Sequence, residues 1–487
     1  MTVRPSSRRR AVLGVAGSRV AFVVSSYAVH FGMAHLLSSQ EYGRLGVILS
    51  FVTLFRTVLS TGMPQTVVRY LAAGGGIGVW RRAMAIQLVA ATGLMAGYLV
   101  VGPWWALVLG DRALVRPLLL SAPMIVLMAW HQMNLAYHGG RQRFGLQSWT
   151  VVLYSGLRAG LALGIVAIGG GLLGGVLGLV LAAGIAAVWT FAQTPSERGT
   201  SSVSMAELLG FSAPLLVIAM ANGALANLDI LMLNTFYPGS ASVGYYNGAM
   251  NIGKAPYLVF VSFSVTLLPA MAQACTEQGP LAARRLVRTY SSWLAIGCAP
   301  LVVVTVMAAP EVLGLLFASE FVVGASALQL LIVSMCGLSL LMLLVAAMVG
   351  IGKPGHAMIV TLLTVPTQVA AGWILIPRHA LAGAALANLI GVGAGLAAAT
   401  ILVSKHLGMP YDMPRLARVA ATLLPIPLVW WAMGPPAGSW LAPAAGVVGA
   451  LYVALLVAFR VVPPAAFAVR LPKQRRPCPN PPCRGEN

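Results

Sequence analysis

The sequence predicts an all-α protein threaded many times through a membrane, and three observations carry that expectation. Apolar residues make up 59% of the chain and charged residues only 8%, with a mean hydropathy of +0.87. A chain of 487 residues cannot hide that much apolar surface from water, so lipid is its solvent. The apolar residues come in runs of about 20, the length a helix needs to cross the hydrocarbon core. The basic residues fall between those runs, on alternate sides.

About fourteen spans are expected, near residues 11–37, 44–66, 83–109, 113–137, 147–168, 171–192, 208–236, 241–270, 288–316, 324–350, 356–376, 380–404, 416–433 and 440–462. Only "GGG" at 169–171 separates the fifth from the sixth. The N-terminus begins like a signal peptide, but its apolar run exceeds a usual h-region, so it reads as an uncleaved first span. The formal charge of +21 invites a nucleic-acid reading. The charges sit in short gaps between apolar runs, so they record membrane orientation and no nucleic-acid partner is expected. With the first residues on the cytoplasmic side, cytoplasmic segments hold 23 of the 31 Lys and Arg. The opposite side holds Arg44, Arg112, Arg116 and Arg378, and four lie inside spans: Arg19, Arg56, Arg158 and Lys254. One missed span would scramble this bias, so both termini are expected in the cytoplasm.

The chain also echoes itself. "HLLSSQEYGRLGVILSFVTLFRTVLSTGMPQTVVRYLA" (35–72) parallels "NTFYPGSASVGYYNGAMNIGKAPYLVFVSFSVTLLPAMAQA" (234–274), each with a mid-span cation and a Pro near its inner end. Residues 109–145 parallel 317–355, both starting at an outer loop and finishing at a basic, Gly-containing inner turn. The offset is about six spans, an even number, so two halves of like topology should face each other across a central site. The expected organisation is a first lobe at 1–192, a cytoplasmic linker at 193–207 and a second lobe at 208–404. Spans 13 and 14 follow at 405–462, then a basic, Pro-rich tail at 463–487.

The blocks "MAELLGFSAPLLVIAMANGALANLDILMLNTF", "VGYYNGAMNIGKAPYLVFVSFSVTLLPAMAQA" and "APEVLGLLFASEFVVGASALQLLIVSMCGLSLLMLLVAAMVGIGKP" resemble the polysaccharide biosynthesis and export proteins, the Wzx-type oligosaccharide flippases of the MOP superfamily. "SSQEYGRLGVILSFVTLFRTVLSTGMPQTVVRYLA" resembles the same family's opening block, and the likeness covers spans 1 to 12. That family is similar in fold to multidrug MATE antiporters and to the lipid II flippase MurJ. The resemblance implies a V-shaped transporter of two six-helix lobes in the bacterial cytoplasmic membrane. It would turn an undecaprenyl-pyrophosphate-linked glycan from the inner to the outer leaflet, as a monomer, ahead of a polysaccharide polymerase and chain-length machinery.

An ionisable group inside a span costs at least about 2.5–3.5 kcal/mol, so each must face protein or a wet cavity. Asn247, Asn251 and Lys254 share one helix face at i, i+4 and i+7; Thr53, Arg56 and Ser60 do so at i, i+3 and i+7. Each half thus offers a polar stripe with one central cation, suited to an anion such as pyrophosphate: Arg grips phosphate with two donors and Lys acts as a point charge. The alternative is that each cation pairs with helix carbonyls or a buried acid. Arg158 is a further cavity candidate, and Arg19 either snorkels or admits substrate at the inner leaflet. Asp229, sharing a face with Asn222, has three open roles: ion-pair partner of Lys254 or Arg56, cation or proton coupling, or glycan hydrogen bonding. His30, His35 and His131 read as packing near the outer ends. Ser204 and Glu207 form a capping box for span 7.

A drug-cation antiporter usually wants carboxylates, and this chain has one deep acid against three or four deep cations. A glycan polymerase or ligase would need convergent catalytic groups, and no acid pair, nucleophile–base set or metal cluster is legible. No cofactor is expected. Cys478 and Cys483 in "CPNPPC" lack the further ligands a zinc site needs. A lipid II cargo stays open as a variant of the flippase reading.

Overall fold

The structure, a computed structural model, describes residues 5–72, 76–194, 204, 208, 216, 219–277, 279–433 and 441–459. Among them every regular element is helical. In lipid no water is available to the backbone, and a helix satisfies its own N–H and C=O groups. The first half of the chain forms α1 (Pro5–Leu36), α2 (Ser39–Ala72), α3 (Ile77–Val108), α4 (Val115–Ser121), α5 (Pro123–Gly140), α6 (Phe144–Ile165) and α7 (Gly171–Ala192). The second half forms α8 (Leu228–Phe236), α9 (Ala241–Gly253), α10 (Ala255–Glu277), α11 (Pro280–Met307), α12 (Ala309–Leu316), α13 (Ala325–Gly350) and α14 (Pro354–Leu407). Then come α15 (Met413–Leu423), α16 (Pro425–Met433) and α17 (Leu441–Ala458). The tail with its "CPNPPC", most of the linker and Glu207 lie outside the described residues.

Seven helical stretches among the described residues are long and apolar enough to cross a membrane. Two are double length. Residues Phe144–Ala192 cover 49 residues and Pro354–Leu407 cover 54. At 1.5 Å per residue each spans about 75–80 Å, more than twice the core thickness. Both fold back at a backbone break. In the first, Gly169 and Gly171 take φ of 93° and 53°, which only glycine adopts freely. In the second, Ala380 sits at φ 45° three residues after Pro377. Its two limbs then pack together, with Gly391 against Gln368 and Gly395 against Thr364. The expected count of fourteen therefore holds only approximately: other expected spans are interrupted inside the bilayer.

Two interruptions bear on function. The eighth span was expected to run unbroken through Lys254. Instead α9 ends at Gly253, Lys254 caps it, and α10 begins at Ala255. Pro256 explains the break, because it has no N–H to offer the Ile252 carbonyl one turn back. The seventh span breaks at Ala226 and Asn227, where Asn227 leaves helical geometry (φ −142°).

In the first half α2 packs on α5, α1 on α6 and α6 on α7; in the second, α13 lies between α10, α11 and α14. The halves meet where α2 runs along α9. There Gly43 faces Gly244: a Cβ on Gly43 would lie 2.6 Å from the Gly244 nitrogen, and one on Gly244 would collide with the Ser39 carbonyl. Small residues permit this close backbone approach. The C-terminal helices dock on α11 through Ile296, Val419, Trp430 and Val448, with the Tyr452 hydroxyl donating to the Ile296 carbonyl at 2.8 Å. Large apolar side chains such as Val100 (71% exposed), Val188 (70%) and Trp431 (83%) line the outside, as a lipid-facing surface requires.

Candidate functional site

A cavity of about 240 Å³ lies between the halves. Helix α1 contributes Phe22, Ser26, Val29 and His30; α2 contributes Ser50, Thr53 and Arg56; α6 contributes Tyr154 and Arg158. From the second half come Asn227, Asn247, Asn251 and Lys254. Arg56, Thr53, Arg158, Asn247, Asn251 and Lys254 were all expected near a central site, and all of them line this one space.

The three cations are held by neutral groups. The Lys254 ammonium donates to Asn227 Oδ1 at 3.2 Å, and Asn227 stands where its helix breaks. The Arg158 guanidinium stacks over Phe22 at 4.7 Å and lies 5.8 Å from the Tyr154 ring centre, with one long bond (3.4 Å) to the Phe22 carbonyl. Cation–π stacking orients the plane without neutralising it. Arg56 has only the Met128 sulfur, at 3.9 Å. Among the described residues none of the three forms an ion pair with a carboxylate; Arg44 with Asp111, at 3.1 Å, does. Arg158→Lys keeps the charge and loses the stacked plane, so we expect a severalfold drop in transport rate at unchanged protein level, against a larger drop for Arg158→Ala; equal losses would mean the plane is irrelevant.

One end of the cavity is sealed. Asn247 Nδ2 donates to the Tyr42 carbonyl (3.1 Å), and Asn251 Nδ2 donates to the Tyr42 hydroxyl (3.3 Å). The Tyr27 hydroxyl donates to the Asn251 carbonyl (3.2 Å). Behind them Tyr42 and Phe31 pack edge-on against Phe321 and Phe317 of the second half, with ring centres 5.7 and 5.2 Å apart. The Gly43–Gly244 crossing and the Arg44–Asp111 pair, which lies against Gly239, close the same end. Asn247 and Asn251 therefore join the two halves as well as lining the cavity.

Four expected site residues lie elsewhere. Arg19 is exposed and outside the cavity lining. Ser60 Oγ bonds back to the Thr57 carbonyl, a local contact that satisfies it within its own helix. Asn222 lies off the cavity, with its Oδ1 buried and without a partner. Asp229 makes no ion pair with Lys254 or Arg56. It is buried, accepting from the Tyr246 hydroxyl at 2.7 Å and from Asn388 Nδ2 at 3.3 Å on one oxygen, and from the Ile230 N–H on the other. Uncharged donors satisfy both of its oxygens, and the Lys254 ammonium bonds to the Asn227 amide instead. Asp229→Asn sets an amide N–H₂ against one of these donors, so we expect about 1–3 kcal/mol of destabilisation, read as a lower unfolding temperature of the purified protein. An unchanged unfolding temperature would mean these contacts carry little.

His30 was read as packing and lies in the cavity wall, its Nδ1 without a partner. A signal was present: Ser26 and His30 continue the face of Arg19 at i+7 and i+11. Tyr154, one turn before Arg158 on the same face, carried the same kind of signal, and none marked Asn227. Among the described residues no three His, Cys, Asp or Glu side chains gather as a metal site would need.

The family model of the polysaccharide biosynthesis proteins matches residues 16–275, more than half of the chain. The chain belongs to the polysaccharide biosynthesis protein family. Its fold is shared with solved membrane transporters of low sequence identity. The lipid II flippase MurJ in an inward closed conformation superposes with a TM-score of 0.75 at 12% identity, over 92% of this chain and 98% of that one. An inward-facing multidrug MATE transporter gives 0.67 at 16%, over 82% and 96%. A MOP transporter from Pyrococcus furiosus, described as having a binding pocket of reverse polarity, gives 0.59 at 16%, over 81% and 95%. No curated protein matches the sequence. The cavity of this polysaccharide biosynthesis family member, with its three unpaired-by-acid cations, sits between the chain's two halves.

Proposed function

We propose that this family member is a flippase that carries undecaprenyl-pyrophosphate-linked oligosaccharide repeat units across the bacterial cytoplasmic membrane. The observation that carries the reading is three cations lining one cavity with no carboxylate paired to any of them among the described residues. Like charges in a poorly solvated space repel, and a bound pyrophosphate relieves that repulsion. Arg56 offers a planar fork to one phosphate, Lys254 a point charge to the other, and Arg158 a stacked plane at the side. Asn247, Asn251, Thr53 and Ser50 supply hydrogen bonds that suit hydroxyl-rich sugars in general, so charge is read more strictly than sugar identity. The polyprenyl tail stays in lipid beside the cleft.

In this reading residues 1–192 and 208–404 are two lobes that rock against each other, joined by the 193–207 linker. The sealed end, where Tyr42 meets Asn247 and Phe321, is the outer gate. The basic segments then face the cytoplasm, both termini included. A reporter fused after Asn487 should be active in the cytoplasm, and activity outside would reverse the assignment. A lipid II cargo presents the same pyrophosphate, and the family match favours the glycan repeat unit. The test is flipping of a fluorescent undecaprenyl-pyrophosphate glycan in proteoliposomes. Expulsion of an organic cation with no flipping of that lipid would overturn the proposal. Asp229 belongs to the scaffold here; transport that follows a pH gradient in the wild type and not in Asp229→Asn would assign it to coupling instead.

A further inference from the structure

Asn227 is the residue that the Lys254 ammonium leans on, and both ends of its side chain are in use. It stands just before α8, is 8% exposed and lines the cavity. Its Nδ2 donates to the Gly223 carbonyl one turn back at 2.8 Å, and its Oδ1 accepts from the ammonium at 3.2 Å. A carbonyl only accepts and an ammonium only donates, so the two contacts leave the amide one orientation. The anchor is itself held. Gly223 lies against α2 of the first half, where a Cβ would come within 3.1 Å of the Thr57 hydroxyl.

An acid at this position would act differently on the cavity. Aspartate has nearly the same shape as asparagine. In contact with Lys254 it would form an ion pair in a poorly solvated space, where opposite charges attract most strongly. The ammonium would then be neutralised from within. The chain does carry an acid close by. Asp229, two residues on, acts on Lys254 through space, but its oxygens are taken by the Tyr246 hydroxyl, the Asn388 amide and the Ile230 N–H. Side chains two residues apart do not face the same way, so the amide meets the cavity and the acid does not. Asn227 is thus a neutral acceptor at the one contact where a carboxylate would cancel a cavity cation.

We propose that Asn227 sets the charge preference of the cavity: its uncharged oxygen holds Lys254 and leaves that positive charge for an anionic, phosphate-bearing headgroup. The inference rests on the reading of the cavity as an anion site and adds the residue that keeps it one.

The test titrates the full chain, purified in detergent, with inorganic pyrophosphate by calorimetry, and records the unfolding temperature of each variant without ligand. Asn227→Asp should weaken binding at least about tenfold, the loss expected when a contact to a charged group is cancelled. Asn227→Ala removes the acceptor and keeps the cation, so it should weaken binding only severalfold. Asn227→Gln, a neutral acceptor on a longer arm, should recover part of that loss. A residue that only shapes the fold would give losses that follow the unfolding temperature, with Asn227→Asp and Asn227→Ala falling together. Such a joint fall, or parent affinity in Asn227→Asp, overturns the inference and leaves the anion site standing. Where Asn227→Asp does not fold, Asn227→Ala decides. A loss as large as that of Lys254→Ala would mean that Asn227 places the ammonium without sparing its charge, and overturns the inference; a clearly smaller loss sustains it. A parent protein that binds no pyrophosphate refutes the anion site itself, and this inference with it.

Discussion

Arg56→Ala combined with Lys254→Ala should abolish surface-glycan export in cells that hold normal amounts of the protein. Each single variant should lower export about tenfold or more. A hydrogen bond to a charged group is worth about 1.5–3 kcal/mol, which is roughly tenfold to a hundredfold in an equilibrium. Neither cation is in contact with a carboxylate among the described residues: Lys254 leans on the Asn227 amide and Arg56 on a sulfur. Their removal breaks no contact ion pair, so the fold should tolerate it. Arg56→Lys should recover part of the loss, because it restores charge without the bidentate fork. Export is scored by surface-glycan staining against protein level on the same cells. Unchanged export in the double variant would remove the anion-clamp proposal, whatever the cargo.

Gly244→Val should trap the protein with its outer end parted and stop transport. The crossing of α2 and α9 leaves no space at this residue: any Cβ meets the Ser39 carbonyl, a backbone atom that cannot rotate aside. Overpacking of this kind costs about 1–3 kcal/mol. A two-state equilibrium moves about a hundredfold for 2.7 kcal/mol, so the cost is enough to shift the resting state. Ser50 lines the cavity and is buried, so Ser50→Cys reports the opening. In an otherwise unchanged protein an impermeant thiol reagent added outside should leave that cysteine unmodified. In the Gly244→Val background it should react at least about tenfold faster. Equal, slow reaction in both, with folded protein, would show that the glycine crossing does not hold the outer end shut.

These two expectations differ in how far the sequence alone reached them. The pairing of Arg56 with Lys254 was legible because a repeat places both at equivalent positions on polar stripes, and amphipathic spacing is a local property. The gate was half legible. Asn247 and Asn251 stood out as polar residues in a span, yet nothing local said that Tyr42 would take their amides. Ser60 and Asn222 show the converse. They satisfied the same spacing rule as true cavity residues, and the tertiary structure left them outside, since a stripe on a helix names a face and not the space it meets. Ion-pair partner of a cation was one of three roles open to Asp229. The tertiary structure gave Lys254 the Asn227 amide and left Asp229 to Tyr246 and Asn388.

Hydropathy and the alternation of basic residues act along the chain, so the sequence by itself determined an all-α membrane protein, about how many times it crosses, and that its buried charge is cationic. The "GGG" at 169–171 marked the boundary between the fifth and sixth spans for the same reason. Only the tertiary structure decided which side chains share the cavity. Asn247 meets Tyr42 across 205 residues, and Arg158 meets Phe22 across 136. Contacts at such separations depend on how finished helices pack, and packing is set by surfaces that no local window of sequence contains.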